Sequence, residues 1–465
     1  MSFRRLLPLI CLAAFWGLNG QTESKLSSAL RQKIDRAAQD ILAETGAPSA
    51  SIAVVKDGEI AYVRAYGSAR LEPSTAAKPE MRYSIGSISK QFTSAAVLLL
   101  AEEGKLSLDD AVGKYIPNLT RAKEVTIRQL LSHTSGYQDY WPQDYVPPFM
   151  TQPVTADKIL DLWARKALDF DPGTQWQYSN TNYVIAGVIV EKVSGKPLLS
   201  FLNERVFAHI GMQRVENIDL KGLGAEDATG YMRYALGPLR VAPKEGPGWL
   251  FAAGELAMPA NELAKWDVSM LRQQLLKPAS YKEMETEVRL KDGSGTGYAL
   301  GLGTRGMNGH RAVHHSGEVS GYTAANVVFP DDNIAIVVLT NQDAVSASGS
   351  IARKIADLLL APKPGDAGKL QQARAIFSAF QHGKIDRSLF TDNANAYFTP
   401  QAVEDFASSL APLGDPQEFV QTGANSRGGM MQRHFKATFA GRTLSISTFE
   451  MPDGKLEQYL VSAAN

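Results

Sequence analysis

Residues 87–100 read Ser87-Ile88-Ser89-Lys90-Gln91-Phe92-Thr93-Ser94-Ala95-Ala96-Val97-Leu98-Leu99-Leu100. The apolar residues after Lys90 predict a buried helix. A serine one helical turn before a lysine puts a hydroxyl and an amine on one face, near the positive end of the helix dipole. A neutral lysine there takes the serine proton once burial or a nearby cation lowers its pKa. Ser89 lies about 200° round the helix from Ser87 and faces away. Ser-x-x-Lys alone decides little, because it arises by chance roughly once or twice in a chain of this length.

Two further stretches carry side chains capable of chemistry. Tyr178-Ser179-Asn180 follows the turn Asp171-Pro172-Gly173 and precedes the apolar run Tyr183 to Ile189, which predicts a buried helix. A Tyr and an Asn two apart in a loop both point at one cleft, where the phenol relays protons and the amide binds a ligand carbonyl. His315-Ser316-Gly317 lies where a strand is expected, and its glycine lets a ligand backbone approach the strand edge. His315 is placed to read a substrate carboxylate, which requires it to be protonated. His314 should face the other side of the sheet, so the pair is not read as a metal site. Gly-x-Ser-x-Gly and His-Glu-x-x-His are both absent from the sequence.

In this order, Ser-x-x-Lys, Tyr-x-Asn and a strand motif ending in Gly resemble the serine β-lactamase and penicillin-binding-protein superfamily. The tyrosine version is similar to the branch with class C β-lactamases, DD-peptidases, D-aminopeptidases and family VIII esterases. Flanking text agrees: Val125-Thr126-Ile127-Arg128-Gln129-Leu130-Leu131-Ser132-His133-Thr134-Ser135-Gly136, Pro172-Gly173-Thr174 and Gly254-Glu255-Leu256. The resemblance covers about residues 30–360. It implies that Ser87 is the acylated nucleophile, and that Lys90 and Tyr178 share the general-base and general-acid work. It implies that Asn180, His315, Ser316 and Gly317 bind substrate, and that the backbone N–H groups of Ser87 and Glu318 form the oxyanion hole. His315 stands where the lactamases of this branch carry Lys, which points away from efficient β-lactam hydrolysis. Esters, D-amino-acid-containing peptides and β-lactam-like amides are the implied substrates. The alternative is a penicillin-binding or sensor protein that acylates without efficient turnover.

The rest of the chain reads as an α/β body with an inserted lobe. Residues 26–44 repeat at helical spacing, and Lys56-Asp57-Gly58 separates two β-rich runs as a hairpin. Thr323–Pro330 and Ile334–Thr340 form a second strand pair around Asp331-Asp332-Asn333, and Ser350–Leu360 reads as helix. The expected fold is an antiparallel sheet flanked by helices, built from about 26–105 and 286–362, with a helical lobe at about 106–285. Ala361-Pro362-Lys363-Pro364-Gly365-Asp366 reads as a linker. Residues 366–465 read as an accessory α+β roll: a helix at 370–380, then strands at Phe398, 419–420, 434–439, 443–449 and 456–461. This part resembles the ketosteroid-isomerase and nuclear-transport-factor roll.

Composition bounds the partners. Hydrophobic residues are 44% and charged residues 21% of 465, an ordinary globular balance. Basic and acidic residues number 48 each, and no Lys/Arg cluster attracts nucleic acid. Arg4 and Arg5 precede an apolar run from Leu6 to Leu18, long enough for an export signal and too short to span a bilayer. With a cut near Gly20 the protein is expected in the periplasm or outside the cell, with no stable membrane anchor. Cys11 is the only cysteine, so the mature chain has no disulfide, no thiol nucleophile and no Cys-based zinc site. The expected partner is a small molecule or short peptide, with no cofactor and no metal.

Overall fold

The computed structural model describes residues 26–361 and 364–463. The expected signal segment, residues 1–20, lies outside them. Helix α1 (Ser28–Thr45) starts where the Ser27 hydroxyl accepts from the Leu30 N–H. Strands β1 (Ser49–Lys56) and β2 (Glu59–Arg70) follow. They are joined by Asp57 and Gly58, both at positive φ (55° and 70°), which is the two-residue turn that matches the twist of a hairpin. Next come α2 (Ser89–Glu102), α3 (Asn180–Ser194) and α4 (Ala260–Leu271). The body closes with β3 (Val313–Val319), β4 (Tyr322–Phe329), β5 (Ile334–Thr340) and α5 (Ala347–Leu359).

These strands make one antiparallel sheet in the order Thr75–Ala76, β2, β1, β5, β4, β3. Central strands covered on both faces read as continuous apolar runs, and successive side chains go to opposite cores. Ala50, Ile52 and Val54 of β1 join Ile336 and Val338 of β5 in a core with α1 and α5. Ala53 and Val55 join Val337 and Leu339 in the larger core with α2, α3 and α4.

Two boundaries differ from expectation. Helix α4 was placed in the lobe at 106–285, yet it packs on β1 and β5. Its buried Leu263, Ala264, Trp266 and Met270 share the core beneath the sheet. The segment between α3 and α4 also carries short strands: Leu256–Met258 pairs on one edge with Tyr83–Ser84 and on the other with Glu216–Asn217.

The C-terminal part has its own core. Helices α6 (Pro364–Gln381), α7 (Asp392–Tyr397) and α8 (Pro400–Leu410) precede strands β6 (Glu418–Arg427), β7 (Met430–Thr438), β8 (Thr443–Glu450) and β9 (Leu456–Ala463). The four strands form an antiparallel sheet in sequence order. Phe377, Phe380, Phe435, Ile446 and Tyr459 fill the space between sheet and helices. Phe398 is not in a strand; it follows α7 and buries its ring against Phe380 and Phe390. The linker read at 361–366 is shorter than expected, because α6 already begins at Pro364, and proline suits a first helical turn. Residues 362 and 363 lie outside the described residues.

Candidate active site

Ser87 sits in a tight 3₁₀ turn, Gly86–Ile88, that leads into α2. Lys90 is fully buried in the first turn of α2, and its Nζ reaches Ser87 Oγ at 2.9 Å, Asn180 Oδ1 at 2.8 Å and the Ala253 carbonyl at 2.7 Å. Burial pulls its pKa down to about 7, against the opposing pull of the Asp139 carboxylate. Its resting form above that pH is a neutral amine. Ser89 points elsewhere and accepts from the Leu256 N–H at 3.2 Å.

Tyr178 precedes α3, and its hydroxyl faces the Ser87 side chain. Burial holds the phenol well above its usual pKa, so it keeps its proton at neutral pH. The loop carrying it is fastened to His133, whose carbonyl accepts from the Gln177 N–H and whose Nδ1 accepts from the Ser179 N–H. The His133 ring lies 4.3 Å from the Tyr178 ring, centre to centre. Asn180 opens α3 and turns its Oδ1 to Lys90.

Strand β3 is the sheet edge facing the nucleophile. A Cβ on Gly317 would stand 1.9 Å from the Ile85 carbonyl, and one on Gly86 would stand 2.7 Å from the Glu318 nitrogen. Only two glycines facing each other allow so close an approach, and it brings the Glu318 N–H beside the nucleophile turn.

His315 is where the residue-level reading fails. Its Nδ1 faces the Ser316 carbonyl, which only accepts, so Nδ1 carries the proton. In the neutral ring its Nε2, 2.7 Å from the Tyr298 hydroxyl, is then the acceptor. Burial and the nearby Lys90 lower its pKa to about 3. A neutral imidazole with both nitrogens engaged does not read a carboxylate. His314 faces the opposite way, toward Gly303, Arg305 and Arg353.

Ser87, Tyr178, Asn180, His315 and Ser316 all line one open cavity of about 920 Å³. Gly317 stands behind them as the contact between strand and turn. Three contributors escaped the sequence reading: Asp139, the Ala253 carbonyl and Tyr298. Asp139 follows the quoted stretch ending at Gly136 by three residues, and an acid among Tyr137, Tyr140 and Trp141 was the available signal. Further out, Asp144, Glu318 and Asp343 add acidic groups to the wall, with Trp141, Tyr145 and Tyr234 at the mouth.

The chain is similar to known proteins across its larger part. It is 27% identical over 337 residues to the D-aminopeptidase of Brucella anthropi, covering 72% of this chain and 63% of that protein. The chain thus spans less than two thirds of that relative's length. It is also 27% identical over 369 residues to Penicillin-binding protein 4* of Bacillus subtilis (strain 168), covering 76% of this chain and 81% of that protein. Among solved structures, a D-stereospecific amidohydrolase from a Streptomyces species shares 26% identity at a TM-score of 0.60, covering 69% of this chain and 96% of that one. Residues 34–360 match the family model described as Beta-lactamase. With the antiparallel sheet flanked by helices on both faces and the clustered serine, lysine and tyrosine, this match shows that the chain belongs to the Beta-lactamase family.

Proposed function

We propose that the protein is an exported serine hydrolase that works through an acyl-enzyme on Ser87, on amides or esters bearing no free carboxylate beside the scissile bond. The neutral, doubly engaged His315 carries this reading, because carboxypeptidase and β-lactam substrates present a carboxylate that needs a cation there. The D-aminopeptidase and the D-stereospecific amidohydrolase support D-configured amino-acid amides as the substrate class.

The steps balance with the residues at hand. A neutral Lys90 has two N–H bonds and one lone pair. The Asn180 and Ala253 oxygens only accept, so they take the two N–H bonds and leave the lone pair to the Ser87 O–H. Lys90 removes that proton as Oγ bonds to the substrate carbonyl carbon. The oxyanion lies between the N–H groups of Ser87 and Glu318. Collapse breaks the bond to the leaving group, which takes the Tyr178 proton, and Tyr178 recovers one from the Lys90 ammonium. Water then attacks the ester carbonyl and passes a proton to the neutral Lys90–Tyr178 pair; collapse breaks the C–Oγ bond, Ser87 Oγ takes that proton back from the pair, and the acid is released.

A turnover panel tests this: D-alanine amide, a short p-nitrophenyl ester, an acyl-D-Ala-D-Ala peptide and a chromogenic cephalosporin. The amide and the ester should exceed the other two in kcat/KM by roughly 10-fold or more, the worth of one charge-assisted hydrogen bond. A fluorophosphonate adduct should map to Ser87, survive Ser89→Ala and vanish with Ser87→Ala. Preferred turnover of the peptide or the cephalosporin would refute the substrate class; labelling lost only with Ser89→Ala would refute the nucleophile.

A further inference from the structure

We propose that Asp139 is a positioning residue for this reaction: it fixes the Asn180 side-chain amide in the one orientation that leaves the Lys90 lone pair to Ser87. The proposal rests on Lys90 being the base.

The two ends of an Asn amide are alike in shape and opposite in chemistry, so neighbours decide which end faces where. Asp139 Oδ1 accepts from the Asn180 backbone N–H at 2.9 Å and from Nδ2 at 3.2 Å, and Oδ2 accepts from Nδ2 at 3.3 Å. A carboxylate only accepts. A turned amide would set its oxygen against both carboxylate oxygens, which is repulsive, so Nδ2 stays toward Asp139 and Oδ1 toward Lys90. Asp139 is itself held by the Trp141 N–H at 3.1 Å.

The orientation matters because of the count of hydrogens on Nζ. With Asn180 Oδ1 and the Ala253 oxygen each holding one N–H, the lone pair is left for the Ser87 proton. With the amide turned, Nδ2–H competes for that lone pair, and a Lys90 N–H swings to Ser87 Oγ. Ser87 then accepts where it must donate, and the base is blocked. The other groups facing Lys90 do not decide this. Tyr178 and Tyr183 present ring faces 5.0 and 5.5 Å from Nζ, and the buried imidazoles of His133 and His315 are held neutral by burial and by the Lys90 charge.

Asp139→Asn tests the proposal. It keeps shape and an oxygen for the backbone N–H groups of Trp141 and Asn180, but replaces Oδ2 by an NH₂ group that clashes with the NH₂ group of Asn180, so the amide is no longer held in one orientation. The melting temperature should hold. The plateau rate of fluorophosphonate acylation should fall roughly 10²-fold, the scale of a misplaced reacting group. The acid limb of that rate should move to lower pH, since the carboxylate that favours the ammonium is gone and a donor now caps the lone pair. A slower enzyme whose base is more fully deprotonated is not the signature of general damage. An unchanged plateau, an unmoved acid limb, or a loss confined to KM for amine-bearing substrates would each overturn the proposal, the last by making Asp139 a substrate contact. If the variant melts early, Asn180→Ala replaces it: with no amide to orient, adding Asp139→Asn should cost nothing more, and a further loss in acylation rate overturns the proposal. Acylation at the wild-type rate in Lys90→Ala would instead remove the base assignment, a separate result.

Discussion

Lys90 keeps no exposed surface, a rare state for its residue type. Its pKa of about 7 lies well below the ~10.4 of an unfolded lysine, so between those values the folded chain binds fewer protons than the unfolded one. The cost of burying the side chain is therefore full below about pH 7 and shrinks as pH rises toward 10. Lys90→Met should stabilise the protein at pH 7, and the gain should be smaller at pH 10. Paired denaturant melts at the two pH values measure it, and a gain that grows with pH would contradict the assignment. The chemistry of Ser87, Lys90, Tyr178 and Asn180 was legible because it resides in the side chains and their spacing. The charge of His315 was not legible, because it is set by burial and by Tyr298, seventeen positions earlier in a segment without a motif. Asp139 escaped for a similar reason, since its role exists only once the Asn180 amide is beside it.

Among the elements, edge strand β3 joins fold and chemistry. Its pairing with β4 runs in unbroken register from Val313 to Val319, while its other edge meets the nucleophile turn. Gly317→Ala would drive a methyl group into the Ile85 carbonyl and push the strand outward. Overpacking of this kind costs about 1–3 kcal/mol, and displacing an oxyanion donor slows turnover about 10²–10³-fold. Melting and ester kinetics on that variant should show both, and near-normal kcat would mean that Glu318 is not a donor. The hairpins at Asp57-Gly58 and Asp331-Asp332-Asn333 were legible because positive φ restricts the residues that serve there. The allegiance of α4 was hidden, because an apolar stripe states that a helix is buried and not against what.

The described residues form two parts that share little: the body, with a core on each face of its sheet, and the C-terminal part with a third. The C-terminal core draws on residues from Ala373 onward, and the contacts across the junction include an Arg353 bond to the Thr422 carbonyl at 3.3 Å. A chain ending after Ala361 keeps the His310 bond to the Ala361 carbonyl and every group around Ser87. It should melt as the full chain's hydrolase part does and hydrolyse a simple ester at the same kcat; lost turnover in a folded truncate would give the C-terminal part a share in the site. The sheet has one more consequence, for synthesis. Strand β1 pairs with β5, so Ala50 lies opposite Thr340 and the layer above Ser87 closes only when the chain has passed that residue. At the ~5–20 residues per second of translation, about 250 residues separate the nucleophile from its enclosure, a delay of roughly 13–50 s. Pairing across such a span is among the slow events of folding. A half-made chain therefore carries Ser87 and Lys90 with no pocket, no Glu318 donor and a solvated amine. Activity arrives late and all at once, so a ribosome-stalled chain should take no fluorophosphonate until β5 has emerged.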